Sequence, residues 1–150
     1  MFISNFGLWE EGRLDHGEVG GYILRLSKEE WLRQVFELKK YYPGVMRGWT
    51  RGMTILLARK AEQGDSFIGY GVIDRIDMPW ELQDKERQYC RDNGWKCVLV
   101  FKNLIRFEEP LPLKKTFLKD DKRKGRFLHA IPLTVDQIDS ILEAAEDLQS

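Results

Sequence analysis

Apolar positions along the chain change period several times, and each change marks an element. Tyr22-Ile23-Leu24-Arg25-Leu26, led in by Gly20-Gly21, is a short β-prone run. Trp31, Leu32, Val35, Phe36 and Leu38 then recur at helical spacing. Ser27 and Glu30 have the spacing of a capping box, Leu26 and Trp31 that of a hydrophobic staple, and Pro43-Gly44 is the stop. Met53 to Arg59 reads as a strand, Glu62-Gln63-Gly64-Asp65 as a turn and Ser66 to Ile76 as a second strand, so the pair predicts a hairpin. Strict alternation puts Phe67 and Tyr70 on opposite faces of that strand and Gly69 and Gly71 on the same one.

The second half is less regular. Asp77-Met78-Pro79-Trp80 has the form of a helix entry, but the segment to Arg91 is polar and Asn93-Gly94 stops it. Trp95 to Phe107 is a long β-prone stretch, and Pro110 and Pro112 assign its continuation to a sheet edge or an irregular extended segment. Lys114 to Lys124 reads as a mobile basic loop and Arg126 to Pro132 as a short strand. Thr134 and Gln137 open a last helix, whose apolar face is Val135, Ile138, Ile141, Leu142, Ala145 and Leu148. Helices and hairpins in this order predict an α+β fold: a curled, mostly antiparallel sheet or small β-barrel flanked by helices.

Length and charge narrow the picture further. The 150 residues suit one domain, with residues 1–19, Gly-rich and acidic, as an N-terminal extension. Lys plus Arg and Asp plus Glu both number 24, so any phosphate contact must come from a local patch and not from overall charge. Cys90 and Cys97 form no CxxC pair, as expected of a reducing compartment. The N-terminus lacks a leader pattern and no apolar run is long enough to cross a bilayer, so a cytoplasmic location with no membrane partner is expected.

Several chemistries lack their residues. His16 and His129 are the only histidines, and no metal-ligand spacing, Walker loop or complete dinucleotide fingerprint occurs, so no metal and no cofactor is expected. Gly64-Asp65-Ser66-Phe67 superficially resembles a lipase-type nucleophile block, but it lies mid-chain without a downstream DxxH, and a turn explains it better.

Three groupings could bind a ligand. Arg47-Gly48-Trp49-Thr50-Arg51-Gly52 puts a stacking ring between two guanidiniums, although a core Trp with solvent-facing arginines accounts for the same residues. Trp80 with Tyr70 and Phe67 could contribute to an aromatic cage, or to the core. The basic run Lys114, Lys115, Lys119, Lys122, Arg123, Lys124 and Arg126 is either a phosphate-tracking patch or a solvated loop.

The block from Arg47 to Thr50 followed by Gly64-Asp65-Ser66-Phe67-Ile68-Gly69-Tyr70-Gly71-Val72 resembles the PUA-like superfamily, especially its EVE and YTH branch. Phe107 to Leu113, the Leu133-Thr134 helix start and the Tyr22–Leu26 strand with its following helix extend the likeness over residues ~20–145. The resemblance implies a small barrel with a pocket for a nucleobase, often modified, flipped out of RNA or DNA. It implies that Trp49 stacks and that Gly69 and Gly71 lie beside the pocket, with Tyr22 and Trp80 as further walls. Arg47, Thr50 and Arg51 would meet the ligand nearby, and Lys114, Lys115, Lys122, Arg123 and Lys124 the nucleic-acid backbone. The expected function is thus a non-catalytic RNA- or DNA-binding module. A nuclease or nucleotide-processing enzyme and a protein-interaction domain are the alternatives.

Overall fold

A computed structural model describes residues 17–123 and 125–150. The expectations for residues 1–16, including His16, and for Lys124 lie outside the described residues.

Among the described residues six strands form one curled sheet: β1 (Val19–Arg25), β2 (Lys40–Tyr41), β3 (Thr54–Ala61), β4 (Gly64–Asp77), β5 (Val98–Pro112) and β6 (Pro132–Thr134). Three α-helices accompany them among the described residues: α1 (Glu29–Leu38), α2 (Asp84–Asn93) and α3 (Val135–Gln149). The strand order is β2-β5-β4-β3-β1-β6. The β3–β4 hairpin is present, and every pairing is antiparallel except β1 with β3. That parallel pair needs a crossover, which α1 supplies. The result is the expected α+β half-barrel.

The continuous apolar runs of β1 and β3 follow from cover on both faces. Leu24, Ile55 and Leu57 point into a core shared with Leu32 and Val35 of α1, Ile73 and Leu99. Their neighbours Ile23, Leu56 and Ala58 point into a second core with Phe67, Leu111 and Leu133, closed by Ile138, Ile141 and Ala145 of α3. The Thr134 capping box forms as read: Thr134 Oγ1 accepts the Gln137 amide, and Gln137 Oε1 accepts that of Thr134.

Four local expectations are corrected. The Ser27–Glu30 box is absent: extended Lys28 is the N-cap with no side-chain cap, and Lys39 ends α1 in the left-handed region at φ 59°. Phe67 and Tyr70 share a face. Ala58 pairs with Phe67 but Leu57 pairs with Gly69, so Ile68 is an inserted bulge residue that resets the alternation. The basic segment is built of 3-10 turns, Leu113–Lys115 and Phe117–Asp120, because Leu113 and Leu118 anchor it in the second core. Residues 126–131 are not a strand. A 3-10 turn runs from Gly125 to Leu128, and Ala130 at φ 63° delays β6 to Pro132.

Pro110 and Pro112 lie where the sequence places them. β2 covers β5 only at Leu99 and Val100, so the outer side of the far end of β5 has no partner strand among the described residues.

Candidate functional site

β1 outruns its short partner β6, and this leaves its last amide in need of an acceptor. The chain supplies a side chain: the Arg25 N–H donates to His129 Nδ1 at 3.0 Å. With Nδ1 accepting, the imidazole proton sits on Nε2 and faces the Tyr41 hydroxyl 3.2 Å away. Burial, with the Arg47 and Arg25 guanidiniums adding to it, holds His129 below its ordinary value, and burial pushes the Tyr41 phenol well up. Both groups are therefore neutral near pH 7. Neither imidazole nitrogen has a lone pair to spare, so His129 positions groups and is poorly placed to take a proton from a substrate.

This arrangement sets a pH dependence. The unfolded chain protonates His129 below about 6.5, while the folded chain does so only at lower pH. The contribution to stability is full above the unfolded value and is lost as pH falls through the folded one. The melting temperature should therefore drop below pH ~6.5 more steeply in the wild type than in His129→Gln. Parallel melting curves for the two proteins would remove the titrating role.

Tyr41 and His129 line a hollow of about 320 Å³ together with Arg25, Ser27, Trp31, Gly44, Val45 and Trp95. Ligand pockets span ~300–1,000 Å³, so this one suits a single ring system. Trp31 comes from the first turn of α1, Tyr41 from β2 and Trp95 from the turn after α2. The two indoles meet edge to face, with centroids 6.3 Å apart. Gly44 lets the chain pass close to Trp95, since a Cβ there would lie 3.3 Å from the ring. The Lys28 ammonium stands 5.1 Å from the centre of the Trp31 ring and brings a cation to the rim.

Arg25 also lines a second hollow of about 450 Å³, where Lys60, Lys114, Lys119 and Arg123 face Asp65 and Asp121. Asp65 binds Arg25 at 3.1 Å and accepts the Gly125 amide. Arg123 holds the Asp121 carboxylate down to about 2, so these two charges are mutually engaged. Lys60, Lys114 and Lys119 have no ion-pair partner among the described residues, which leaves the hollow net positive. A larger hollow of about 600 Å³ between β5 and α3 is rimmed by Asp139, Glu143 and Glu146, an unsuitable field for an anion.

The residues singled out in the sequence are dispersed among these features. Trp49 is only 8% exposed and meets Tyr22 edge to face at 4.8 Å. The Tyr22 hydroxyl accepts the Gly48 amide, and Arg47 Nε donates to the Ala130 carbonyl beside His129. Thr50 turns back to donate to the Gly48 carbonyl, and Arg51 is exposed. Trp80 is 72% exposed in a separate hollow. A Cβ on Gly69 would lie 2.2 Å from the Ile105 carbonyl oxygen, and one on Gly71 would lie 2.7 Å from Leu104, so β5 occupies the space beside both glycines. Lys115 and Lys122 are exposed outside the basic hollow.

Sequence reasoning did not assign Trp31, Tyr41, Trp95 and His129 to one site. Trp31 carries a staple signal and Trp95 a strand signal, and the turns that bring them together have no motif. Other chemistry is muted. Ser66 is buried and donates to the Gly64 carbonyl, and burial raises both thiols, Cys97 to about 11. No cluster of three metal-ligating side chains occurs among the described residues.

The chain matches no known family profile and no curated protein. Solved structures do share its fold. The ASCH protein of Zymomonas mobilis aligns with a TM-score of 0.58 at 10% identity, over 83% of this chain and 94% of that one. A hypothetical protein from Leishmania major aligns at 0.59 and 17%, over 91% and 100%. A Pseudomonas syringae protein aligns at 0.56 and 16%, over 83% and 99%. At these identities the likeness establishes the fold. The half-barrel described above matches a PUA-like α+β fold. No helix among the described residues is long and apolar enough to cross a membrane.

Proposed function

We propose that this PUA-like domain is a non-catalytic nucleic-acid binding module. It holds one unstacked base of RNA or DNA in the hollow walled by Trp31, Tyr41, Trp95 and His129. The observation that carries this reading is the double position of Arg25, which lines both the aromatic hollow and the cationic one. A stacking site and a phosphate-binding site are then contiguous, as recognition of a single strand requires. The Tyr41 hydroxyl accepts from His129, so its own proton is available for an acceptor on the base edge. Arg47, which donates to the Ala130 carbonyl beside His129, and the exposed Arg51 on the same loop would hold flanking phosphates, with Trp49 packed on Tyr22 as the support of that loop. The strand and turn order of Arg47–Val72 supports the EVE/YTH branch, and with it a modified base as ligand. The committed nitrogens of His129, the buried Ser66 and the raised thiols support binding without chemistry.

The test is a titration of labelled single-stranded RNA and DNA oligonucleotides, plain and base-methylated, across a salt series. Affinity should fall with salt. Lys114→Glu with Lys119→Glu should weaken every sequence and flatten the logarithmic salt slope by about 0.7 for each phosphate that is no longer neutralised. Binding unchanged by salt and by both charge reversals would reject the module. Cleavage of the oligonucleotides would instead establish the nuclease alternative.

A further inference from the structure

Trp80 is the most exposed large hydrophobic residue among those described, and the backbone that carries it is braced. It sits in a 3-10 turn, Pro79–Glu81, closed by two hydrogen bonds: Met78 N–H donates to Glu81 Oε1 at 2.7 Å, and Glu81 N–H donates to the Met78 carbonyl at 2.8 Å. Arg87 braces the turn from α2 by donating to the Pro79 and Leu82 carbonyls. An indole displayed to solvent on a braced turn is a preorganised stacking platform.

Its surroundings indicate what it stacks. Trp80 lines a hollow of about 620 Å³ with Pro79, Arg87, Cys90, Arg91 and Trp95. Trp95 is also a wall of the base hollow, so the two share one indole. Arg25 links the base hollow to the cationic one in the same way. Each hollow therefore shares one wall residue with the next: Arg25 between the lysines and the aromatic site, Trp95 between the aromatic site and the Trp80 shelf. Arg91 at the far end is exposed, and its guanidinium donates to Gln88 Oε1 at 2.9 Å. Glu81 on the same turn is occupied by the Met78 amide.

Building on the base-binding reading, we propose that Trp80 and Arg91 form a second nucleotide station, which stacks the base next to the one held between Trp31, Tyr41 and Trp95. The ligand is then a single strand with adjacent unpaired bases, because a base within a duplex keeps its faces stacked on its neighbours and has none free to lay on Trp80. The strand runs from the Lys114–Lys119 hollow past Arg25 and Trp95 to the Trp80 shelf.

The experiment is calorimetric titration of the full chain with nucleic acid of increasing length, from a mononucleotide to about six nucleotides, the range of a small single-strand site. Affinity of the wild type should rise with length. Trp80→Ala should leave the mononucleotide affinity unchanged and lower that for the longest oligonucleotide by at least about fivefold, the loss of one stacked base. Trp80→Phe should retain most of the gain, and Arg91→Glu should lose part of it. A fully paired duplex of the same sequence should compete poorly. Equal affinity of Trp80→Ala and wild type for the longest strand, or equal competition by duplex, would overturn the second station and leave the base hollow standing. No binding at any length would overturn both the base-binding reading and this inference.

Discussion

Gly21→Ala should cost this protein more stability than any exposed substitution, more than about 3 kcal/mol and enough to populate the unfolded chain. A Cβ at Gly21 would lie 1.7 Å from the Thr54 carbonyl oxygen, and that carbonyl belongs to the paired backbone of β3. No rotamer change relieves a clash with backbone. β1 must therefore move off β3 along the one parallel pairing of the sheet, or the ladder must break. The neighbouring Gly20 is the control, since its Cβ would meet the Val135 side-chain methyl at 3.0 Å and the Val135 Cα at 3.3 Å, which can shift by tenths of an ångström. Denaturant titration of the two variants decides the matter: a Gly21→Ala midpoint at or above that of Gly20→Ala would show that β1 has more room than its register implies.

The largest effect on binding should follow Trp31→Ala, with a loss of about tenfold or more in affinity for an unstacked base. Trp31 presents its ring to the hollow and meets Trp95 edge to face, so its removal takes away one wall and lets the other tilt. Trp31→Phe keeps a π face and should recover most of the affinity. Tyr41→Phe keeps the wall but removes the hydroxyl that faces His129 Nε2, and should cost no more than a single hydrogen bond, roughly two- to tenfold. Anisotropy titrations on variants whose circular dichroism is native separate these roles. An unchanged affinity in Trp31→Ala with the fold intact would remove the base from this hollow, and a Trp49→Phe variant alone losing affinity would return it to the Trp49 loop.

Local sequence determined the elements whose signals are local. The Thr134–Gln137 box starts α3 where the spacing places it, the Gly64 turn closes the β3–β4 hairpin, and the apolar stripe Ile138–Ile141–Ala145 faces a core. The α+β class and the curled sheet follow from the order of those elements. The Ser27 box failed because the chain reaches Glu29 through extended Lys28, and tertiary packing of Trp31 and Leu32 set that start in place of a cap. The faces of Phe67 and Tyr70 were misread because one bulge at Ile68 reverses all later alternation, and a bulge has no composition of its own.

The site itself is a tertiary fact. Arg25, Trp31, Tyr41, Trp95 and His129 are spread across most of the chain, and none lies in a motif that names another. They meet because β1 is longer than β6, which turns its last amide to His129, and because the two-residue β2 lays Tyr41 against β5 near the end of α2. Pairing lengths and crossovers of this kind are set by how whole elements pack, and no window of sequence contains them. The sequence by itself determined the fold class, its charge balance and the basic run. The packing decided that the basic run borders an aromatic hollow, that Trp49 sits beneath its loop, and that Trp80 stands outside on a braced turn.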